Sequence, residues 1–159
     1  MNILELGAGI GTMTEMMLMG NYGAKTVFTT ESNDFCLNAL QKNLTNPKDP
    51  RLHILTTESD LNKITKPLDL IVGDGGFYSP LEFQNSKPGT ILFFDGNRSK
   101  LRTIAHDTLT KKQLKCEMQK LGNDEKIAVW RFKHVLGIPL IPTRKKQRVS
   151  CWIGFVKPE

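Results

Sequence analysis

The octapeptide Leu4-Glu5-Leu6-Gly7-Ala8-Gly9-Ile10-Gly11 is the most informative segment of this 159-residue chain. An apolar strand runs here into a glycine-rich turn, where the backbone can approach a ligand closely because glycine has no Cβ. Glu31 follows at the end of a second apolar run over residues 25–31. A carboxylate at the tip of the next strand can bind both hydroxyls of a ribose. The segment therefore predicts a site for a ligand that contains a nucleoside.

The glycine spacing narrows the choice of ligand. Gly7, Gly9 and Gly11 form G-x-G-x-G, and Thr12 occupies the position of the third glycine in the dinucleotide fingerprint G-x-G-x-x-G. Glu5 would repel a pyrophosphate, but it suits a ligand with a positive amino group. The pattern resembles motif I of the class I S-adenosylmethionine-dependent methyltransferases, which implies S-adenosylmethionine as the cofactor.

Apolar runs alternate with helical patterns along most of the chain. Predicted strands cover residues 2–6, 26–30, 52–56, 68–73 and 90–94. Predicted helices cover residues 12–19, a segment capped by Asp34, a short helix that begins with the capping box Ser79–Glu82, and residues 99–121 in two pieces. Strands at 126–132 and 149–156 have no helix between them, so we expect an antiparallel hairpin around a basic loop. These elements predict an α/β fold, Rossmann-like and doubly wound. Its mostly parallel seven-stranded sheet would carry a C-terminal antiparallel hairpin.

The chain as a whole is similar to the class I plan, and within that plan to small O-methyltransferases of the catechol type. The segment Asp69–Gly75 resembles their strand-4 motif, and Pro88-Gly89 resembles their turn before strand 5. The resemblance implies that Glu5 and the backbone of the glycine turn hold the methionine end of the cofactor. It also implies that Glu31 binds the ribose and Glu58 the adenine amino group, with Asp60 as a substitute one register away. The complete predicted cofactor set is Glu5, Gly7, Ala8, Gly9, Gly11, Glu31, Ser32, Glu58, Ser59 and Asp74.

The resemblance further implies a magnesium site. Asp74, Asp95 and Asn97 correspond to the metal ligands of the metal-dependent members, although Gly96 is inserted between the last two. Three oxygen donors at one sheet edge suit a hard cation. The alternative is a polar turn at residues 95–97 without a metal, because Asp, Gly and Asn are common turn residues.

The groups expected near the methyl acceptor are Asp74, Tyr78, Lys100 and His106. Related enzymes often carry a lysine three residues after the strand-4 aspartate, and here that position is Phe77. In-line displacement of a methyl group from a sulfonium depends largely on orientation and proximity. We therefore expect positioning to dominate, with Asp74 nearest the chemistry and a hydroxyl or carboxyl oxygen of a small molecule as acceptor.

Composition agrees with one domain spanning residues 1–159 in the cytoplasm, without a membrane partner. Cys36, Cys116 and Cys151 are widely spaced, which favours a reducing compartment. Family members usually have helices before strand 1 that cover the cofactor, and this sequence has only Met1 there. We therefore expect a form without these lid helices. Its site is open, or is closed by the basic loop or by a second copy of the chain, unless the sequence is a trimmed version of a longer protein.

Charge is uneven along the sequence. Residues 1–97 carry 7 Lys and Arg against 11 Asp and Glu, whereas residues 98–159 carry 15 against 5. The run Arg144–Arg148 could bind phosphates, which makes a methyltransferase acting on RNA or another polyanion the second hypothesis. Ordinary solvation of lysines on later helices is the simpler explanation. Against the RNA hypothesis, residues 74–77 lack the Asn/Asp-Pro-Pro-aromatic motif typical of enzymes that methylate base amines. A binding module without transferase activity is the third hypothesis.

Overall fold

Strands and helices alternate over the first two thirds of the sequence, as predicted. The computed structural model describes residues 1–20, 23–73, 75–96, 98–121, 126–135, 138–148 and 151–159, with 126–135 and 138–148 described through their backbone. The strands are β1 (Asn2–Leu6), β2 (Thr26–Thr30), β3 (Leu52–Leu55), β4 (Leu68–Gly73), β5 (Ser86–Asp95), β6 (Leu114–Leu121), β7 (Lys126–Val135), β8 (Ile138–Arg148) and β9 (Cys151–Pro158). The helices are α1 (Thr12–Leu18), α2 (Asp34–Asn43) and α3 (Ser99–Lys111), with 3-10 turns at Glu58–Lys63 and Pro80–Phe83.

Seven of the strands form one sheet in the order β3-β2-β1-β4-β5-β9-β6. The first five in that order are mutually parallel, and β9 runs antiparallel to both of its neighbours. The predicted fold class is confirmed: the chain is an α/β protein with a Rossmann-like, mostly parallel seven-stranded sheet and an antiparallel pair from its C-terminal part.

Apolar side chains cover both faces of the sheet, as residue alternation along buried strands requires. On one face, Ile3 and Val27 pack with Leu40 of α2 and with Met17 and Leu18 of α1. On the other face, the residues packed together include Leu4, Leu6, Phe83, Phe94, Leu101 and Leu109. The alternation places Glu5 on the α1 side, between two strand leucines that point the opposite way.

The predicted helix over 99–121 is wrong in its second half. Helix α3 ends at Lys111, Gln113 turns the chain with φ of 57°, and residues 114–121 form strand β6. Leu114, Cys116 and Met118 all pack against the core, which is the two-residue period of a strand. Leu114, Met118 and Leu121 also satisfy a helical spacing, so the pattern was ambiguous and strand pairing with β9 decided it.

The predicted terminal hairpin is also wrong in its pairing. Residues 126–135 pair antiparallel with 138–148 and form a separate two-stranded ribbon, whereas β9 pairs with β5 and β6. The basic run at 144–148 is therefore part of strand β8 rather than a loop. We refer to residues 126–135 and 138–148 together as the β7–β8 ribbon.

Two smaller differences concern element ends. Asn33, not Asp34, caps α2, and its side chain accepts a hydrogen bond of 3.1 Å from the Cys36 amide. Strand β5 begins at Ser86 instead of Thr90, because Ser86 already pairs with Leu68 across a register shift. In the described part of the chain, no helix is long and apolar enough to cross a membrane.

Candidate functional site

A cleft of 230 Å³ opens at the carboxyl end of β1, between β1, β4 and β5. In open α/β sheets this edge is where ligands bind. The lining residues come from the β1 strand and glycine turn, from the start of α1, and from the ends of β4 and β5. They are Glu5, Gly7, Ala8, Gly9, Ile10, Thr12, Met13, Val72, Gly73, Phe93 and Asp95.

Glu5 is the acidic group at the base of this cleft, and only 2% of it is exposed. Its Oε2 atom accepts hydrogen bonds from the hydroxyls of Thr14 on α1 and Thr29 on β2, each 2.6 Å long. A buried carboxylate requires such donors, since an uncompensated charge in the interior is costly. The two threonines fix the side chain at the wall of the cleft, where it favours a cationic group of a ligand.

The glycine turn depends on conformations that other residues rarely adopt. Gly7, Gly9 and Gly11 all have positive φ, of 85°, 55° and 92°. A Cβ on Gly7 would lie 3.2 Å from the Gly75 Cα, and a Cβ on Gly11 would lie 2.6 Å from Leu40 Cδ1. The turn is therefore held against the loop after β4 on one side and against α2 on the other.

Glu31 lies directly beside the turn and organises it. Its Oε2 accepts the Gly9 amide at 2.9 Å, and its Oε1 accepts the amides of Ser32 and Asn33 at 2.9 and 2.8 Å. A small recess of 40 Å³ adjoins it, lined by Gly7, Thr30, Glu31, Ser32, Gly76 and Phe77. Because an ionised carboxylate has about four acceptor positions, Glu31 can still accept from a ligand hydroxyl in this recess.

The two acidic residues after β3, Glu58 and Asp60, contact different parts of the protein. Asp60 accepts the amides of Thr56 and Thr57 and forms an ion pair of 2.6 Å with Lys63, which holds the pKa of that carboxyl well below its usual value. Glu58 instead faces the loop after β4, where it accepts the Ser79 hydroxyl at 2.7 Å. The hydroxyl of Ser59 lies 3.0 Å from that of Thr57. Asp60 is thus engaged within its own turn.

A second buried carboxylate, Glu82, holds the loop after β4. It accepts the Phe77 amide at 2.7 Å and the Ser79 amide at 3.2 Å, and its exposed fraction is 0%. Burial raises the pKa of Glu82 to about 7, and the backbone donors and the charge of Glu58 modify that value. The predicted capping box Ser79–Glu82 is confirmed, on a 3-10 turn.

The residues expected near the acceptor are placed in three different ways. Asp74 and Asn97 lie outside the described residues. Tyr78 has φ of 58°, and Lys100 Nζ lies 5.2 Å from the centroid of its ring, so these two are together. His106 is exposed on α3 and lines a different groove, with Arg102 and Cys116, so the structure does not bring it to the cleft.

The magnesium hypothesis rests on a single residue here, because Asp95 lines the cleft while its two predicted co-ligands lie outside the described residues. No group of three His, Cys, Asp or Glu that could hold a metal occurs within the described ranges. The described residues therefore do not form a magnesium site on their own, and magnesium binding stays a prediction.

Several residues of the site were not foreseen. Thr14 and Thr29 orient Glu5, Thr30 Oγ1 accepts the Gly7 amide at 2.9 Å, and Phe93 lines the cleft. The one available signal was the pair Thr29-Thr30 at the end of strand β2. Fully buried hydroxyls there need partners, and the turn and Glu5 provide them.

The comparisons with solved structures agree with this architecture. The chain is similar to an O-methyltransferase from Bacillus cereus in complex with SAH, with a TM-score of 0.62 and 16% identity over 98% of this chain and 74% of that one. For a SAM-dependent O-methyltransferase from Thermotoga maritima, the TM-score is 0.58 and the identity is 13%, over 99% of this chain and 59% of that one. For a precorrin 8W decarboxylase from Methanobacterium thermoautotrophicum, the TM-score is 0.59 and the identity is 15%, over 96% of this chain and 80% of that one. No protein-family model and no curated protein matches the chain. At these identities the likeness is one of fold.

Proposed function

We propose that this chain binds S-adenosylmethionine and transfers its methyl group to an acceptor. The observation that carries the proposal is the cleft at the carboxyl edge of the sheet, where the buried Glu5 carboxylate and the glycine turn meet. The strand order and the similarity in fold to a structure in complex with SAH support it. When bound, S-adenosylmethionine supplies a methyl group activated by a positively charged sulfur.

Glu5 and the turn from Gly7 to Gly11 hold the methionine end in this proposal. A carboxylate that is buried and hydrogen-bonded by two threonines is already desolvated and oriented, so pairing with the ligand ammonium needs little rearrangement. Glycine at position 9 lets the ligand lie against the backbone, because the space beside it is open to 4 Å. Glycine at positions 7 and 11 lets the turn pack against Gly75 and Leu40. The described residues therefore fit the amino-acid part of the cofactor.

Glu31 binds the ribose hydroxyls, with Ser32 beside it in the same recess. Its three backbone donors hold both carboxylate oxygens in place before any ligand arrives. Glu58 and Ser59 flank the adenine position in this proposal. Asp60 is the weaker choice there, because the Lys63 ion pair and two backbone amides already occupy it.

On the acceptor side, the proposed groups are Asp74, Tyr78 and Lys100. Tyr78 and Lys100, whose side chains lie together, belong to the segments that follow β4 and β5, two of the three strands that line the cleft. They would position an acceptor oxygen rather than act as a strong base. His106 is the weaker choice for this set, because it lines another groove.

Calorimetric titration with S-adenosylmethionine tests the cofactor proposal. We expect saturable binding to the wild type and a loss of about ten- to one-hundredfold in affinity for Glu31→Ala, as removal of a charged hydrogen-bond acceptor predicts. Glu31→Gln, which keeps the side-chain shape, distinguishes loss of the charge from collapse of the turn.

Glu117→Ala is the matched control, because this carboxylate is exposed on β6 and pairs with Lys157 on β9, away from the cleft. It should bind the cofactor as the wild type does. Absence of binding by a folded wild type would overturn the proposal. Binding without release of S-adenosylhomocysteine, across small-molecule and nucleic-acid acceptors with and without magnesium, would support the non-catalytic binding module instead.

A further inference from the structure

The positive charge of the protein is concentrated in one element. Residues 126–148, which span the β7–β8 ribbon, contain seven Lys and Arg and no Asp or Glu. Since the chain carries a formal charge of +6, the remaining residues together carry −1. The excess is therefore not spread over solvated helices. It belongs to a two-stranded element outside the main sheet.

The strand register concentrates this charge further. Lys126 pairs with Arg148, Val129 with Lys145, and Trp130 with Arg144. Five of the seven cations, residues 126, 144, 145, 146 and 148, thus lie in the half of the ribbon that is joined to the main sheet. An aromatic residue is placed among them at Trp130. Cations that follow a backbone, interleaved with aromatic residues, are typical of single-stranded nucleic-acid binding.

The ribbon is rooted at the edge of the sheet that carries the cleft. Leu121, before the ribbon, pairs with Cys151, after it, and Cys151 also pairs with Asp95 at the end of β5. Asp95 lines the cleft. Arg148 precedes Cys151 by three residues, so its Cα lies within about 11 Å of the Cys151 Cα. The end of the ribbon that carries Lys126 and Arg148 is therefore tethered near the cleft by the chain itself.

We propose that the β7–β8 ribbon binds the sugar–phosphate backbone of a nucleic acid and that the methyl acceptor is part of that nucleic acid. The second part rests on the proposed function, whereas binding by the ribbon does not. A small neutral acceptor would gain nothing from seven clustered cations, but a polyanion gains from each phosphate that is neutralised. The inference replaces the small-molecule acceptor expected from the sequence.

An anionic membrane is the competing partner, because residues 135–142 near the turn of the ribbon are apolar apart from glycine and proline. The distribution of charge argues for a nucleic acid. Most of the cations lie in the half of the ribbon that is joined to the main sheet rather than around the apolar end. Vesicles are accordingly included in the test.

The test is fluorescence anisotropy of labelled single-stranded RNA and DNA of equal length, measured over a range of salt. We expect binding whose logarithm falls linearly with the logarithm of salt concentration, with a slope of about −3 to −5 if five to seven phosphates are contacted. Replacing Arg144, Lys145, Lys146 and Arg148 together by Gln should weaken binding by more than about tenfold at moderate salt and flatten the slope by about 3.

The control variant replaces Lys25, Lys42, Lys48 and Lys66 by Gln. These four lysines are exposed and form no ion pair with the described residues, and their replacement removes the same charge from elsewhere on the molecule. It should bind nucleic acid as the wild type does. Equal weakening by both variants, or no binding by the wild type, would overturn the inference, as would binding to phosphatidylserine vesicles but not to oligonucleotides.

Titration with S-adenosylmethionine separates the two proposals. The ribbon variant should keep the wild-type affinity for the cofactor and lose methyl transfer to the oligonucleotide that the wild type binds more tightly. A protein that binds the cofactor but no nucleic acid would contradict only this inference. A protein that binds nucleic acid but no cofactor would contradict the proposed function and leave the ribbon as a binding element.

Discussion

Two glycines of the same turn, Gly9 and Gly11, differ in what surrounds them. Both have positive φ, but the space beside Gly9 is open to 4 Å, whereas a Cβ on Gly11 would meet Leu40 Cδ1 at 2.6 Å. Any L-residue is destabilised in this left-handed backbone conformation. Only at Gly11 does it also collide with a fully buried leucine. The turn therefore combines one conformational requirement and one packing requirement.

At this scale we predict that Gly11→Ala destabilises the protein more than Gly9→Ala. Backbone strain should lower the free energy of unfolding by about 1–2 kcal/mol in both variants. Overpacking against Leu40 should remove a further ~1–3 kcal/mol in Gly11→Ala alone. Urea denaturation measures both values, and Gly9→Ala serves as the control. Equal losses in the two variants would mean that α2, which carries Leu40, can shift without lowering the free energy of unfolding.

At the scale of elements, the loop after β4 owes its shape to a carboxyl group that is buried with few opposing charges. The pKa of Glu82 rises from 4.5 to about 7, chiefly through burial. Between these values the folded protein retains a proton that the unfolded chain has released. The contribution of Glu82 to stability is therefore largest below pH 4.5 and is lost as pH rises to about 7.

We predict that Glu82→Gln removes this pH dependence. Between pH 4.5 and 7 the wild type should lose about 3 kcal/mol of its free energy of unfolding through Glu82. The difference in free energy of unfolding between Glu82→Gln and the wild type should change by that amount over the same range. Denaturation at a series of pH values measures it. Glu117→Gln is the control. Lys157 holds the pKa of the Glu117 carboxyl below its usual value, so this group does not titrate between pH 4.5 and 7. Its replacement should therefore leave the dependence of stability on pH unchanged in that range. A wild-type slope that survives in Glu82→Gln would contradict the prediction.

How far sequence could predict these elements depends on how local their causes are. The capping box at Ser79–Glu82 and strands β1 to β4 follow from neighbouring residues, and they were predicted. Strand β6 was not, because Leu114, Met118 and Leu121 fit two periods and only the pairing with β9 selects one. The same holds for the last strand, since nothing local in residues 151–156 indicates that their partners are β5 and β6.

The site divides in the same manner. Glu5, the glycine turn and Glu31 are recognisable from spacing along the chain, and the structure brings them to one cleft and its adjoining recess. Thr14 and Thr29 act through their contacts with Glu5 on a different strand, so no short pattern marks them. His106 shows the converse: it is close to the site in sequence, but helix α3 carries it to another groove.

At the scale of the whole molecule, the ribbon is separable from the sheet. Leu121 and Cys151 are paired neighbours on β6 and β9, so a two-residue Asn-Gly turn can replace residues 122–150. We predict that this variant folds, unfolds cooperatively and binds S-adenosylmethionine as the wild type does, but loses binding to oligonucleotides. Circular dichroism and calorimetry check the first three properties, and anisotropy checks the last. Failure of the variant to fold would mean that the ribbon packs on the sheet.

The position of β9 between β5 and β6 has a consequence for synthesis on the ribosome. Thirty positions separate Leu121 from Cys151, so β6 is complete roughly 2–6 s before the strand that joins it to the sheet begins to emerge. During that delay β5 presents an open edge with Phe94 and Leu92 on it, the kind of edge that recruits other chains. A ribosome that pauses while it translates the ribbon would prolong this state. Nascent chains halted there should require a chaperone, whereas chains released after residue 158 should not.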